Sequence, residues 1–167
     1  MRIAVIYDWL NQIGGTMKLV VDQSIKIGDT QSPTILALSN DIQRAILIPA
    51  SVKRECIRAL RGRWTPETTM YIRLFAAGLF LLLRELLTTA DRITIDVEYP
   101  GHERDIKDDI LRFGRRKGIV TDSSVIHFGH IGKHSPAHDL AWETLRGKRT
   151  PDETITTRDL MRLLGKK

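Results

Sequence analysis

Residues 17–48 read MKLVVDQSIKIGDTQSPTILALSNDIQRAILI. Three short apolar runs lie in this stretch: Met17 to Asp22, Thr34 to Leu38 and Ala45 to Ile48. Their content of Leu, Ile and Val suits strands. Asn40-Asp41 supplies turn chemistry between the second and third. Adjacent strands with short turns imply an antiparallel meander. The fold class follows from what is attached to it.

Downstream the period changes. Ser51 to Arg61 sets Val52, Cys56, Ala59 and Leu60 at helical spacing, with Lys53, Arg54, Arg58 and Arg61 on the other side. Thr65-Pro66-Glu67 reads as a helix start, with proline in the first turn and an acid near the positive dipole end. The helix it opens should run to about Thr88, apolar on nearly all sides and so covered on several. Arg92 to Tyr99, RITIDVEY, is the clearest strand: Ile93, Ile95 and Val97 point one way, Thr94, Asp96 and Glu98 the other. An amphipathic helix over Glu103 to Lys117 follows, then a strand over Ser124 to Phe128. A helix over Pro136 to Leu145 has Ser135 as its N-cap. Helices and strands in this order after a meander predict an α/β fold with a mixed sheet.

Upstream, residues 2–10 alternate like a strand and Asn11 to Gly15 read as its turn. We therefore expect three parts: an extra N-terminal strand or appended segment over 1–16, a domain over 17–149, and a basic C-terminal tail over 150–167 with one short helix. At 167 residues the chain is one domain's worth. Its composition, 42% hydrophobic and 28% charged, excludes a disordered chain. The lone Cys56 excludes a disulfide framework and a multi-cysteine zinc site, and fits an inert buried thiol in a cytoplasmic protein. MRIAVIYDWL lacks the pattern of a signal peptide. Leu74 to Leu83 is uninterruptedly apolar, but a span needs about 20 such residues, so a buried helix is expected and no membrane.

Twenty-six Lys and Arg against twenty Asp and Glu leave a net charge of +6. A polyanionic partner is one reading of such a balance. The excess is local. Lys53, Arg54, Arg58, Arg61 and Arg63 face only Glu55 across residues 52–64, and Arg112, Arg115, Arg116 and Lys117 face no acid across 112–118. Helices of this kind can track phosphates by releasing counterions, or can simply be solvated faces. Trp64 beside Arg63 could stack a base or pack at a helix boundary.

Acids fall where packing does not want them. Asp22 ends an apolar strand. Asp96 and Glu98 project from one side of another, about 7 Å apart. Asp139, next to His138, opens the last main helix. Brought together, such carboxylates make a hard oxygen site suited to Mg²⁺ or Mn²⁺. Alternatively, Asp96 and Glu98 lie on a solvated sheet face and Asp139 complements a helix dipole. His127, His130, His134 and His138 cluster in one segment. We expect His138 to serve the acids as ligand or proton shuttle, and Lys133 in the same loop to meet a phosphate.

VVDQSIKIGDT resembles the opening motif of RuvC-type Holliday junction resolvases, within the RNase H-like superfamily. There an apolar strand ends in Asp-x-Ser with a glycine a few residues on; here these are Asp22, Ser24 and Gly28. The resemblance covers roughly residues 17–149, mostly as element order. It implies an RNase H-like mixed sheet flanked by helices. It implies a metal-dependent nuclease or related phosphotransfer enzyme acting on DNA or RNA, junctions included, or a non-catalytic nucleic-acid-binding or protein-interaction module of the same fold. Asp22, Glu98 and Asp139 would hold metal, with Asp96 and His138 assisting. Lys53, Arg54, Arg58, Arg61, Arg115, Arg116, Lys117 and Lys133 would hold the nucleic acid. A two-fold symmetric substrate would favour a homodimer, with the apolar Met70–Leu87 helix as its interface. Residues 1–15 are similar instead to the opening strand and glycine loop of family-4-type glycosyltransferases, implying a sugar nucleotide at Gly14-Gly15; nothing later continues that pattern.

Overall fold

A computed structural model describes residues 16–165; the expected strand over 2–10 and its glycine turn lie outside them. The described chain is α/β, with a six-stranded mixed sheet and five α-helices. The meander is there: β1 (Lys18–Gln23), β2 (Thr34–Asn40) and β3 (Arg44–Ile48) pair antiparallel. Asn40 turns the chain at φ 103°, a left-handed conformation that asparagine tolerates. The next residue, Asp41, accepts the Lys18 N–H at 2.7 Å.

β4 (Arg92–Asp96) joins β1 in parallel, and β5 (Ile126–Gly129) joins β4 in parallel. The sheet order is β5-β4-β1-β2-β3-β6. The short β6 (Glu153–Thr154) belongs to the segment expected to be a tail. That segment is built into the domain. β6 pairs with β3, and Ile155, Leu160, Leu163 and Leu164 are buried. The apolar i, i+3, i+4 spacing over Leu160 to Leu164 is the sequence signal for this packing.

The two faces of the sheet are covered unequally. α1 (Ala50–Leu60), α2 (Thr68–Leu83), α3 (Glu103–Arg116) and α5 (Thr157–Leu164) share the larger core with Leu19, Val21, Leu36, Leu38, Ile46 and Ile48. α4 (Pro136–Leu145) packs on the opposite face, where Leu140 and Ala141 meet Ile35, Ala37 and Ala45. Strand alternation explains the division, since odd and even residues of each strand serve different cores.

α2 begins at Thr68 and its regular helix ends at Leu83, with turns continuing to Thr89, so it stops short of the expected Thr88. Its residues Leu74 to Leu83 are buried within the chain itself. Within the described chain these side chains serve its own core. Among the described residues no helix is long and apolar enough to cross a membrane. Cys56 is buried, and burial pushes its thiol up to about 11, as an inert cysteine requires.

Candidate metal centre

Parallel pairing of β1 with β4 sets Val21 opposite Ile95. One step further along both strands come Asp22 and Asp96, on the same side of the sheet. β4 ends there, and Glu98 follows in the irregular chain two residues on. Asp22, Asp96 and Glu98 each bring a carboxylate oxygen to within 4.8 Å of the others. The three acids could hold a metal ion. Asp22 is buried, and Asp96 and Glu98 are half-buried.

Two of the carboxylates are anchored. Asp22 Oδ1 accepts the Gln23 N–H at 2.7 Å, and its Oδ2 lies 2.9 Å from His138 Nδ1. Asp96 Oδ1 accepts the Ile131 N–H at 2.8 Å. His138 reaches Asp22 because Ser135 caps α4, its hydroxyl accepting the His138 N–H at 3.1 Å. The first turn of α4 then lays His138 toward β1. Asp22 faces the small Ala37 on β2, which leaves room for the imidazole.

Burial pushes the Asp22 carboxyl above its usual range, opposed by its hydrogen bonds to His138 and Gln23. Burial also raises Glu98, opposed by the carboxamide of Gln23, and the charges of Asp96 and Asp22 add to the rise. Two raised carboxyls in one cluster are ground-state strain that a cation relieves. Gln23 is 5% exposed and turns its carboxamide toward Glu98, outside full hydrogen-bond geometry but near enough to hold that carboxyl down. The three acids fit a hydrated cation.

Asp139 stands apart. It is exposed on the outer side of α4, with Glu143 one turn on, while Ala137, Leu140 and Ala141 face the sheet. Positions 138 and 139 differ by about 100° around a helix, so only one can face β1. Asp96, expected to assist, sits in the convergent set that Asp139 was expected to complete.

Ser24, the other half of the Asp-x-Ser motif, serves the sheet. Its hydroxyl accepts the Ile35 N–H at 3.1 Å, and its N–H donates to Ile35 O at 3.1 Å. Sequence reading missed Gln23 and Lys26. The exposed Lys26 ammonium donates to Glu98 O at 3.4 Å, next to the acids. The only signal for either was its place in VVDQSIK, beside Asp22.

Among the cations expected to hold nucleic acid, Lys53 is a correction. It is 1% exposed, on the stripe of α1 that also carries Cys56, Ile57 and Leu60. Its ammonium donates to Asp29 O, to Lys26 O at 3.4 Å and to Thr34 Oγ1 at 2.9 Å. It is a buried tether for the loop between β1 and β2. Arg54, Arg58, Arg61, Arg115, Arg116, Lys117 and Lys133 are exposed. Arg54 donates to Thr30 O and Arg116 to Leu163 O. α1 and α3 lie on the face opposite α4; Lys26 meets Glu98 O, and Lys133 follows two residues after Ile131, which donates to Asp96. Of the histidines, only His138 contacts an acid of the cluster. Compared with models of protein families, with curated proteins and with solved structures, the chain shows no match.

Proposed function

We propose that this protein is a divalent-metal-dependent nuclease or related phosphotransfer enzyme built on an RNase H-like domain. The observation that carries the reading is the convergence of Asp22, Asp96 and Glu98 within 4.8 Å, at the ends of two parallel neighbouring strands. The sheet supports it: an antiparallel meander followed by β4 and β5 in one mixed sheet, flanked by helices, agrees with the element order on which the resemblance rests. β6 and α5 are additions to it. The closeness of the acids favours catalysis over a non-catalytic module of the same fold, because a binding module gains nothing from crowding three carboxylates.

Asp22, Asp96 and Glu98 would hold Mg²⁺ or Mn²⁺, whose chemistry in such sites is to activate water and stabilise a leaving oxygen. His138 orients Asp22. Gln23 sets its carboxamide beside Glu98, and Lys26 and Lys133 bring positive charge toward the phosphodiester. DNA or RNA is the substrate class.

The test is cleavage of branched, duplex and hybrid nucleic acids in Mg²⁺, wild type against Asp22→Asn. Loss of cleavage in the variant, with folding retained, is expected. Equal activity of the two proteins removes Asp22 from the mechanism and overturns the reading.

A further inference from the structure

A second group of charges lies in the helical layer and shares no residue with the acidic cluster. A cavity of about 560 Å³ opens between the α1–α2 connection, α2, α3 and the end of α5. Among the described residues its walls carry Arg63, Arg73, Arg112 and Arg116, together with Trp64, and no acid. Four guanidiniums around one cavity repel each other. Such crowding is stable only if the protein, or a ligand, supplies negative charge.

The protein supplies part of it. Arg63 donates to Leu164 O and Arg116 to Leu163 O, both at 2.9 Å, so the carbonyl end of α5 faces two guanidiniums. Arg112 donates to Asp109 Oδ1 at 2.6 Å. The Arg73 guanidinium lies over the Trp64 ring, 4.8 Å from its centre, and Arg63 lies 5.1 Å from the same centre. Trp64 thus fixes two arginines by cation–π contact. Each guanidinium has five N–H donors in a rigid fork. One bond to a carbonyl or carboxylate leaves most of them for the cavity.

Preorganised forks match the oxygens of phosphate. The volume lies in the range of small-molecule sites and exceeds what a bare oxyanion fills. A phosphomonoester carries close to two negative charges at neutral pH, the charge this array best balances. We propose that this cavity binds a phosphomonoester of nucleotide size, either a free nucleotide or the 5′-phosphate end of a strand. The site does not depend on the acidic cluster or its metal.

The test is isothermal titration calorimetry in EDTA, so that the acidic cluster stays metal-free. The ligands are a nucleoside 5′-monophosphate, inorganic phosphate, and one oligonucleotide with and without its 5′-phosphate. Arg73→Gln is the decisive variant, because Arg63 and Arg116 also tether α5 and Arg112 is hydrogen-bonded to Asp109, whereas Arg73 acts on Asp109 only through its charge. Arg104→Gln, exposed at the start of α3, removes the same charge outside the cavity. Expected is saturable binding of the phosphomonoesters, weakened about tenfold or more by Arg73→Gln, as loss of a charge-assisted hydrogen bond would do, and unchanged by Arg104→Gln. A preference for the mononucleotide or for the phosphorylated strand identifies the source. Failure of every ligand to bind, equal weakening by both variants, or equal binding of the 5′-hydroxyl strand each overturns the proposal.

Discussion

His138 and Asp22 lie 116 residues apart in the chain, with Nδ1 and Oδ2 2.9 Å apart. The carboxylate only accepts, so Nδ1 carries the hydrogen and Nε2 of a neutral ring is left as acceptor. Trp142, one turn on, packs its ring 6.1 Å from the imidazole and helps fix it. This pair ties α4 to β1 and holds the most buried acid of the cluster in one orientation.

His138 is therefore a positioning residue. His138→Ala is expected to lower metal-dependent cleavage by about 10–100-fold, the usual effect of losing a partner that orients a ligand. His138→Asn, whose amide can still donate to Asp22, should recover part of it. The Mg²⁺ concentration for half-maximal activity separates this role from a structural one: it should rise in His138→Ala and return toward wild type in His138→Asn.

Glu98 gives a prediction in pH. Burial, then the charges of Asp96 and Asp22, raise its carboxyl above the ordinary 4.5. The folded state thus holds the proton more tightly than the unfolded chain. The stability this contributes is present below pH 4.5 and is lost as pH rises through the raised value. In metal-free protein, Glu98→Gln should therefore stabilise at pH 7 by about 1 kcal/mol, the scale on which unpaired buried charge is relieved. The gain should vanish at pH 4. Urea unfolding in EDTA at the two pH values measures it. Mg²⁺ should raise the melting temperature of wild type and leave that of Glu98→Gln nearly unmoved.

Gly78 sits where α2 crosses β2 and β3. A Cβ there would lie 2.8 Å from Leu36 Cδ1 and 3.1 Å from Ile48 Cδ1, both in fully buried side chains. Glycine costs a helix about 1 kcal/mol against alanine, and close packing on the sheet is its compensation. Gly78→Val should destabilise by about 1–3 kcal/mol through overpacking. Gly78→Ala should cost less, since regained helix propensity offsets part of the clash. Denaturant midpoints of the three proteins give the order, and a stabilised valine variant would show that α2 can lift from the sheet.

Much of this architecture was legible. The alternation of RITIDVEY and the turn at Asn40-Asp41 place strands that the structure contains, because period-2 patterning reflects a sheet with two faces. The capping of α4 by Ser135 was legible for a similar local reason. What was not legible depends on contacts distant in the chain. Asp139 was expected to hold metal ahead of Asp96, both being acids near an element end, and only the parallel register of β1 and β4 separates them. The segment after Thr150 looked like a tail because β6 is two residues long, too short for periodicity to register. Lys53 was misplaced because its charge hid its spacing: with Ile57 and Leu60 it falls at i, i+4 and i+7, on the buried stripe.

That error yields a clean prediction. If Lys53 is a tether, its removal should damage folding and leave nucleic-acid contacts alone. Lys53→Met keeps much of the buried stem and deletes the ammonium that holds Asp29 O, Lys26 O and Thr34 Oγ1. Leaving those acceptors unpaired should cost about 1–3 kcal/mol. Burial lowers the Lys53 pKa to about 8, against 10.5 ordinarily. The folded state then releases its proton first, so the wild-type lysine contributes more stability as pH rises from about 8 through 10.5. The deficit of Lys53→Met should widen over that interval, which urea titrations at pH 7 and pH 10 compare. Affinity for a DNA duplex should keep the same dependence on salt in Lys53→Met, since no phosphate contact is lost. A shallower salt dependence in this variant would return Lys53 to the surface and overturn its assignment as a tether.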